Sequence, residues 1–154
     1  SQQGDICKHA IIESAMAVSS KFTHALIRPA FGCSYPLIRQ KWFSKLQFRQ
    51  LRMKPELFDD YYRDTCLIQK NDMIAFLKAN TSYRLKESVK RCSADVHIYF
   101  GEKENQGIKK SARVIREAFP VSSITGLPEM YHGDFSINHS HDYINAIMAI
   151  ANGA

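Results

Sequence analysis

The run Asp95-Val-His-Ile-Tyr-Phe-Gly101, followed at once by Glu102 and Glu104, constrains this chain more than any other stretch. Val96, Ile98 and Phe100 sit among β-formers, and Gly101 closes the run. That pattern predicts a buried strand ending in a tight turn. Carboxylates just beyond the C-terminal end of a strand lie where open α/β sheets collect their chemistry. A lysine-rich helical segment follows from Gln106 to Phe119, then a short strand, then Tyr131-His132-Gly133. The order is strand, acid, helix, strand, histidine, and the rest of the chain is placed around it.

The 154 residues suffice for one modest domain with its own core. A hydrophobic content of 45% with 23% charged residues is that of an ordinary globular protein. The net charge of +6 raises nucleic acid or an anionic membrane as partners. However, the basic residues are spread over Arg28 to Arg91 and Lys103 to Arg116 and mixed with acids, which favours solvated helix faces. Neither a nucleic-acid nor a membrane partner is expected. Cys7, Cys33, Cys66 and Cys92 form no CxxC pair, which excludes a zinc ribbon or a thioredoxin motif. Their wide spacing suggests reduced thiols in a cytoplasmic protein, with an extracellular disulfide as the alternative. Ser1 to Asp5 is polar and carries no signal-peptide pattern, and no apolar run approaches the ~18 residues of a membrane span.

His9 to Ala15 reads as another buried strand. Its position so near the start predicts an uncovered edge and suggests that the chain is the later part of something larger. From Met16 to Lys90 the pattern is helical. Tyr35 to Arg52, with Pro36 near its start, spaces Leu37, Ile38, Trp42, Leu46 and Leu51 mostly three to five apart. Pro55-Glu56 opens a second helix that lines up Leu57, Tyr61, Tyr62, Cys66 and Leu67. Asn71 is the expected N-cap of a third, Asp72 to Ala79, with Met73, Ile74, Phe76 and Leu77 as its apolar set. A short helix over Leu85 to Lys90 precedes the organising strand. Most of the aromatic and methionine residues here are expected to pack helix on helix; the sharper reading is a cap lining an apolar substrate pocket. Beyond the organising strand, Ile108, Ala112, Ile115 and Phe119 share one face of a crossover helix that Pro120 ends. Val121 to Leu127 is a less apolar strand, expected near an edge. A last helix from about His139 or Ser140 to Asn152 is expected to hold Tyr143, Ile144, Ile147, Met148 and Ile150 mostly on its buried side.

These pieces together resemble the C-terminal half of the α/β-hydrolase superfamily. His9 to Ala15 looks like the sixth sheet strand, which precedes the cap. Val96-His97-Ile98-Tyr99-Phe100-Gly101-Glu102-Lys103-Glu104 looks like the seventh strand and its acid turn. Met130-Tyr131-His132-Gly133, with Tyr143-Ile144-Asn145-Ala146-Ile147 after it, looks like the histidine loop and terminal helix. The fold implied is a partial α/β-hydrolase fold: a short parallel sheet of about three strands with flanking helices and a helical cap insertion. The implied division is a first core strand and turn in residues 1–20, a helical cap in 21–90 and a core segment in 91–154.

Carried over by position, Glu104 falls on the catalytic acid, three residues after the strand-ending glycine, and His132 on the catalytic histidine; Glu102 is the fallback acid. The family usually has Asp at the acid position. What the chain lacks is the nucleophile. No G-x-S-x-G occurs, Gly32-Cys33-Ser34 is not preceded by a strand, and Ser14 and Ser19 lack flanking glycines. The resemblance therefore implies the acid-and-histidine part of a serine hydrolase for an ester, amide or similar small substrate, inactive by itself and needing no cofactor.

A second reading is a non-catalytic module that self-associates, as a dimer or larger homo-oligomer, through His9 to Ala15 or the cap helices. Nucleic-acid binding is the weakest reading. Blander alternatives stand beside the site residues: Glu104 as a solvated helix-start carboxylate, His132 as a turn residue, His97 as a hydrogen-bonded packing residue. His139 and His141, with His132 and Asp134, match no usual zinc spacing, so no metal is expected there, and His139-Ser140-His141 reads as the cap of the last helix. Gly101 to Gly107 has the wrong spacing for a phosphate loop.

Overall fold

The computed structural model describes residues 7–153. The readings made for Ser1 to Asp5 fall outside them. The chain divides into two compact units, one formed by the chain up to Val18 together with the stretch from Tyr83 onward, the other by Ser19–Ser82.

In the first unit, β1 (His9–Glu13), β2 (Asp95–Gly101) and β3 (Ser122–Leu127) form a parallel sheet in the order β1-β2-β3. The organising strand is central, and β3 lies at one edge, as its weaker apolar character predicts. β1 has only β2 as a sheet neighbour among the described residues. It stops at Glu13 and does not run on to Ala15, because Ser14 turns into the left-handed region at φ 52°. Helix α5 (Gln106–Ala118) links β2 to β3, and the side chain of Asn105 caps it by accepting from the Ile108 N–H.

Side chains alternate across a strand, so Val96 and Ile98 point to one side of β2, His97 and Tyr99 to the other. On the first side Val96, Ile98, Ala112 and Ile115 join Ala17 in the core, with Ala10, Ile12, Ala15, Leu85, Phe100 and Phe119 packed around them. Burying a side chain such as Ile98 contributes about 2 kcal/mol, and this cluster holds α5 to the sheet. Ser111, fully buried in α5, donates to the Gly107 carbonyl and accepts from the Val18 N–H. On the other side Tyr99 meets Phe135 of α6 (Asp134–Asn138), and Phe135 meets Tyr143 of α7 (Ser140–Asn152) edge to face.

The last helix buries less than its sequence suggests. Ile144 and Met148 are exposed, while Tyr143, Ile147 and Ile150 are half-buried. Tyr143, Ile147 and Ile150 follow one helical stripe; Ile144 and Met148 form the next, about 100° round. His139 stands at the start of α7 without a side-chain cap bond.

The second unit is helical: α1 (Lys21–Ile38), α2 (Lys41–Leu51), α3 (Phe58–Leu67) and α4 (Lys70–Ser82), with a 3₁₀ turn over Pro55–Leu57. The helix expected from Tyr35 to Arg52 is two helices. α1 runs through Pro29 and Pro36, and the break falls after Ile38. A proline withholds the N–H that would bond the carbonyl four residues back. For Pro36 that carbonyl is Gly32, and Lys70 Nζ donates to it at 3.1 Å.

In α2 the buried pair is Ser44 and Phe48, not Trp42, Leu46 or Leu51, which are exposed. At 100° per residue, Trp42 and Leu46 lie on the face opposite Ser44 and Phe48. Phe48 packs on Phe58 and Tyr61, but Leu67 of α3 and Phe76 of α4 stay exposed. Asn71 is not a cap: α4 begins a residue earlier, and the Met73 N–H bonds the Gln69 carbonyl. The helix expected over Leu85 to Lys90 is a 3₁₀ stretch, Glu87–Arg91. All four cysteines are free thiols. Among the described residues no helix is long and apolar enough to cross a membrane.

Two glycines give a paired test. A Cβ on Gly101 would lie 2.2 Å from the Met130 carbonyl oxygen, whereas one on Gly32 would meet nothing within 4 Å. Gly101→Ala is expected to lower the unfolding free energy by about 3 kcal/mol, or to abolish folding, because backbone cannot move aside cheaply. Gly32→Ala, inside α1, should raise it by ~0.5–1 kcal/mol. Urea denaturation of both variants checks the contrast.

The Tyr99 phenol supplies a pH test. Burial, with a smaller push from Tyr143, raises its pKa above the ordinary value. The folded state thus favours the neutral phenol. Its stabilising effect is complete below the ordinary tyrosine pKa of about 10 and is lost as pH rises through the higher folded value. Tyr99→Phe should flatten the alkaline limb of a stability profile.

Candidate active site

The site is built where β1, β2 and β3 end. After Gly101 the chain turns tightly, with the Glu104 N–H bonding the Gly101 carbonyl at 3.0 Å. The turn folds the Glu104 side chain back under the strand end, where it is fully shielded from water. A buried carboxylate is tolerated only if it is well hydrogen-bonded. Glu104 has three partners. Oε1 accepts from the Gly101 N–H at 2.9 Å and from the Ser14 hydroxyl at 2.6 Å. Oε2 lies 2.9 Å from His132 Nδ1.

An ionised carboxylate only accepts, so this contact puts the proton on Nδ1 and leaves the lone pair on Nε2. The imidazole is 67% exposed at the side chain, while the carboxylate anchoring it is wholly buried. A fixed ring with a free basic nitrogen on its open edge is suited to taking a proton and returning it.

The loop carrying His132 is tied to the acid turn by backbone bonds. The Glu102 N–H bonds the Leu127 carbonyl, and the Lys103 N–H bonds the Met130 carbonyl, both at 2.9 Å. The close approach of the Met130 carbonyl is what excludes a side chain at position 101. Past His132, Gly133 adopts φ 69°, the left-handed conformation that glycine supplies most cheaply, and starts α6. Asp134 accepts from the Tyr131 N–H, which closes the loop on itself.

β1 holds the loop from the other side. Ser14 Oγ accepts from the Gly133 N–H at 3.2 Å, and Glu13 Oε1 accepts from the Ser136 N–H at 3.4 Å.

Of the two acids named from sequence, Glu104 is in contact with His132. Glu102 is exposed, with its carboxylate beside Gly126. His139 and His141 lie outside the site; His141 Nδ1 contacts Asn145 within α7. Ser14 is the residue that sequence reasoning passed over. It lacks the flanking glycines of a nucleophile elbow, and it links acid and histidine loop as a buried hydroxyl. No local signal marks it, since its partners lie 90 and 119 residues away.

No protein-family model matches this sequence, and no curated protein is significantly similar to it. Solved structures do match. An esterase from Exiguobacterium antarcticum superposes with a TM-score of 0.71 at 15% identity, covering 94% of this chain and 57% of its own. A bromoperoxidase from Bacillus anthracis gives 0.72 at 10% identity, covering 94% and 58%. MenH from S. aureus gives 0.66 at 12%, covering 95% and 59%. The chain therefore has a partial α/β-hydrolase fold, and it spans less than two thirds of the length of the structures it matches.

Ser14→Ala removes one of the two donors to Glu104 Oε1 and the acceptor of the Gly133 N–H. It should cost about 1–3 kcal/mol in chemical denaturation. Ser14→Gly makes the same deletions but suits the left-handed backbone, so it should be less destabilising than Ser14→Ala by about 1 kcal/mol. Unfolding free energies equal to the parent chain in both variants would show that the bridge carries no weight.

Proposed function

We propose that this chain supplies the acid-and-histidine half of a serine-hydrolase site acting on an ester, amide or similar small substrate. The nucleophile and its part of the oxyanion hole come from polypeptide beyond this sequence. The observation that supports this most is the exposed His132 imidazole held at Nδ1 by the buried Glu104 carboxylate. The absence of a G-x-S-x-G elbow and the span of about half of each matched structure point the same way.

In this reading His132 Nε2 takes the proton of the attacking hydroxyl and passes it to the leaving group. Glu104 keeps the ring in the tautomer that allows this and stabilises the imidazolium that forms. Ser14 and the Gly101 N–H hold the carboxylate in place. Without the nucleophile the chain alone turns nothing over. Four free thiols agree with a reducing, cytoplasmic setting.

The self-associating module is kept as a second reading. The supporting observations are that β1 has a single sheet neighbour among the described residues, and that Ile144 and Met148 are exposed. A single monomeric species of the chain in sedimentation at high concentration would remove it.

The test of the first reading uses the polypeptide that joins this sequence to its nucleophile. With an activated ester, His132→Ala and Glu104→Gln should each lower turnover by roughly four orders of magnitude. Glu102→Gln should leave it within a few-fold. Unchanged turnover in His132→Ala would end the proposal.

A further inference from the structure

A second cluster lies at the opposite end of the sheet. His9 pairs with Asp95 and Ile11 with His97 in the β1–β2 register, so His9, Asp95 and His97 fall on one face. This is the side turned away from α5, and β2 runs its full length between this rim and the acid turn. For a strand spanning Asp95–Gly101 that separation is roughly 20 Å.

One donor atom from each of the three side chains lies within 4.8 Å of the others. Asp95 Oδ2 is 3.5 Å from His97 Nε2. His97 Nδ1 is 3.2 Å from the hydroxyl of Ser123 on β3. Two ring nitrogens, His9 Nδ1 and His97 Nε2, are buried atoms without a hydrogen-bond partner. The hydrogen bond expected of a packing His97 is made by Nδ1, and Nε2 has none.

When the Ser123 hydroxyl accepts from Nδ1–H, His97 Nε2 presents a lone pair toward the Asp95 carboxylate. In that tautomer two acceptors face each other across 3.5 Å, an arrangement that a cation between them satisfies. A proton on Nε2 serves that pair alone and leaves His9 Nδ1 unsatisfied. A divalent cation can take one donor atom from each of the three side chains.

We propose that His9, Asp95 and His97 form a binding site for a borderline divalent transition metal, zinc foremost. Two imidazoles and a carboxylate are a normal zinc donor set, with a fourth position left for water or another ligand. With bonds of ~2.0–2.1 Å in a tetrahedral site, neighbouring donors stand roughly 3.4 Å apart. The Asp95–His97 edge already has that length. A hydrogen bond from His97 Nδ1–H to the Ser123 hydroxyl would leave Nε2 free to ligate, the usual task of a bond to the far nitrogen of a ligating histidine.

The test is titration of the whole chain with Zn²⁺ by calorimetry, and with Co²⁺ by its visible absorption, which is intense when four-coordinate. One equivalent should bind. Asp95→Asn and His97→Gln should each weaken affinity by at least ~10-fold, and Ser123→Ala by about 10-fold. His141→Gln on α7 and Cys7→Ser should leave it unchanged. Ser123 is exposed, so its variant keeps the test decisive if a ligand variant fails to fold. No binding to the parent chain, or an affinity equal to the parent's in both the Asp95→Asn and Ser123→Ala variants, overturns the site. Neither result bears on His132, which belongs to the other rim.

Discussion

A fully buried carboxylate cannot stay charged without donors, and the donors of Glu104 come from three separate parts of the chain. Ser14 follows β1, the Gly101 N–H ends β2, and His132 follows β3. All three can reach one carboxylate only if the three strands run parallel and end at the same level. The register provides this: Glu13 lies opposite Tyr99, and Gly101 opposite Leu127. An antiparallel neighbour would send one of the donors to the far rim. The topology and the site are therefore one constraint, and a one-residue shift in register would disturb the acid and the core together.

The choice of glutamate fits the same geometry. The turn after Gly101 is closed by the Glu104 N–H on the Gly101 carbonyl, and the longer side chain then reaches back to the Gly101 N–H. Glycine at 101 serves the histidine loop, because the Met130 carbonyl occupies the space of a Cβ. One residue thus permits both the acid turn and the approach of the loop. This is why a bare glycine matters more at 101 than at 32, where the surroundings are open.

The central strand, its acid turn, the crossover helix and the histidine loop were legible because each carries a strong local pattern. Alternation marks β2, the Ile108–Ala112–Ile115 stripe marks α5, and glycines mark both turns. The helical unit was legible only as helical. Its helix boundaries turned on Pro36 and Asn71, whose local preferences were overridden by contacts such as that of Lys70 with the Gly32 carbonyl. Which apolar residues are covered in α2 and α7 is not fixed by spacing alone, since several in each compete for one stripe. Ser14 was invisible as a support because its role depends on pairings across more than half the chain. The convergence of His9 with Asp95 and His97 depends likewise on strand register, which no single segment specifies.

The two rims of the sheet are linked through β1. Its C-terminal end supplies Ser14 to the acid and Glu13 to α6. At its N-terminal end His9 faces Asp95. β1 is short and has one sheet neighbour among the described residues, so its five residues have few bonds with which to hold register. A one-residue slip would turn Ser14 away from Glu104. A cation gripping His9 together with Asp95 and His97 would pin β1 to β2 at the end remote from the acid and oppose that slip. In such an arrangement the metal takes no part in proton transfer. It would secure the strand that positions the carboxylate, while His132 keeps its orientation through its bond to Glu104.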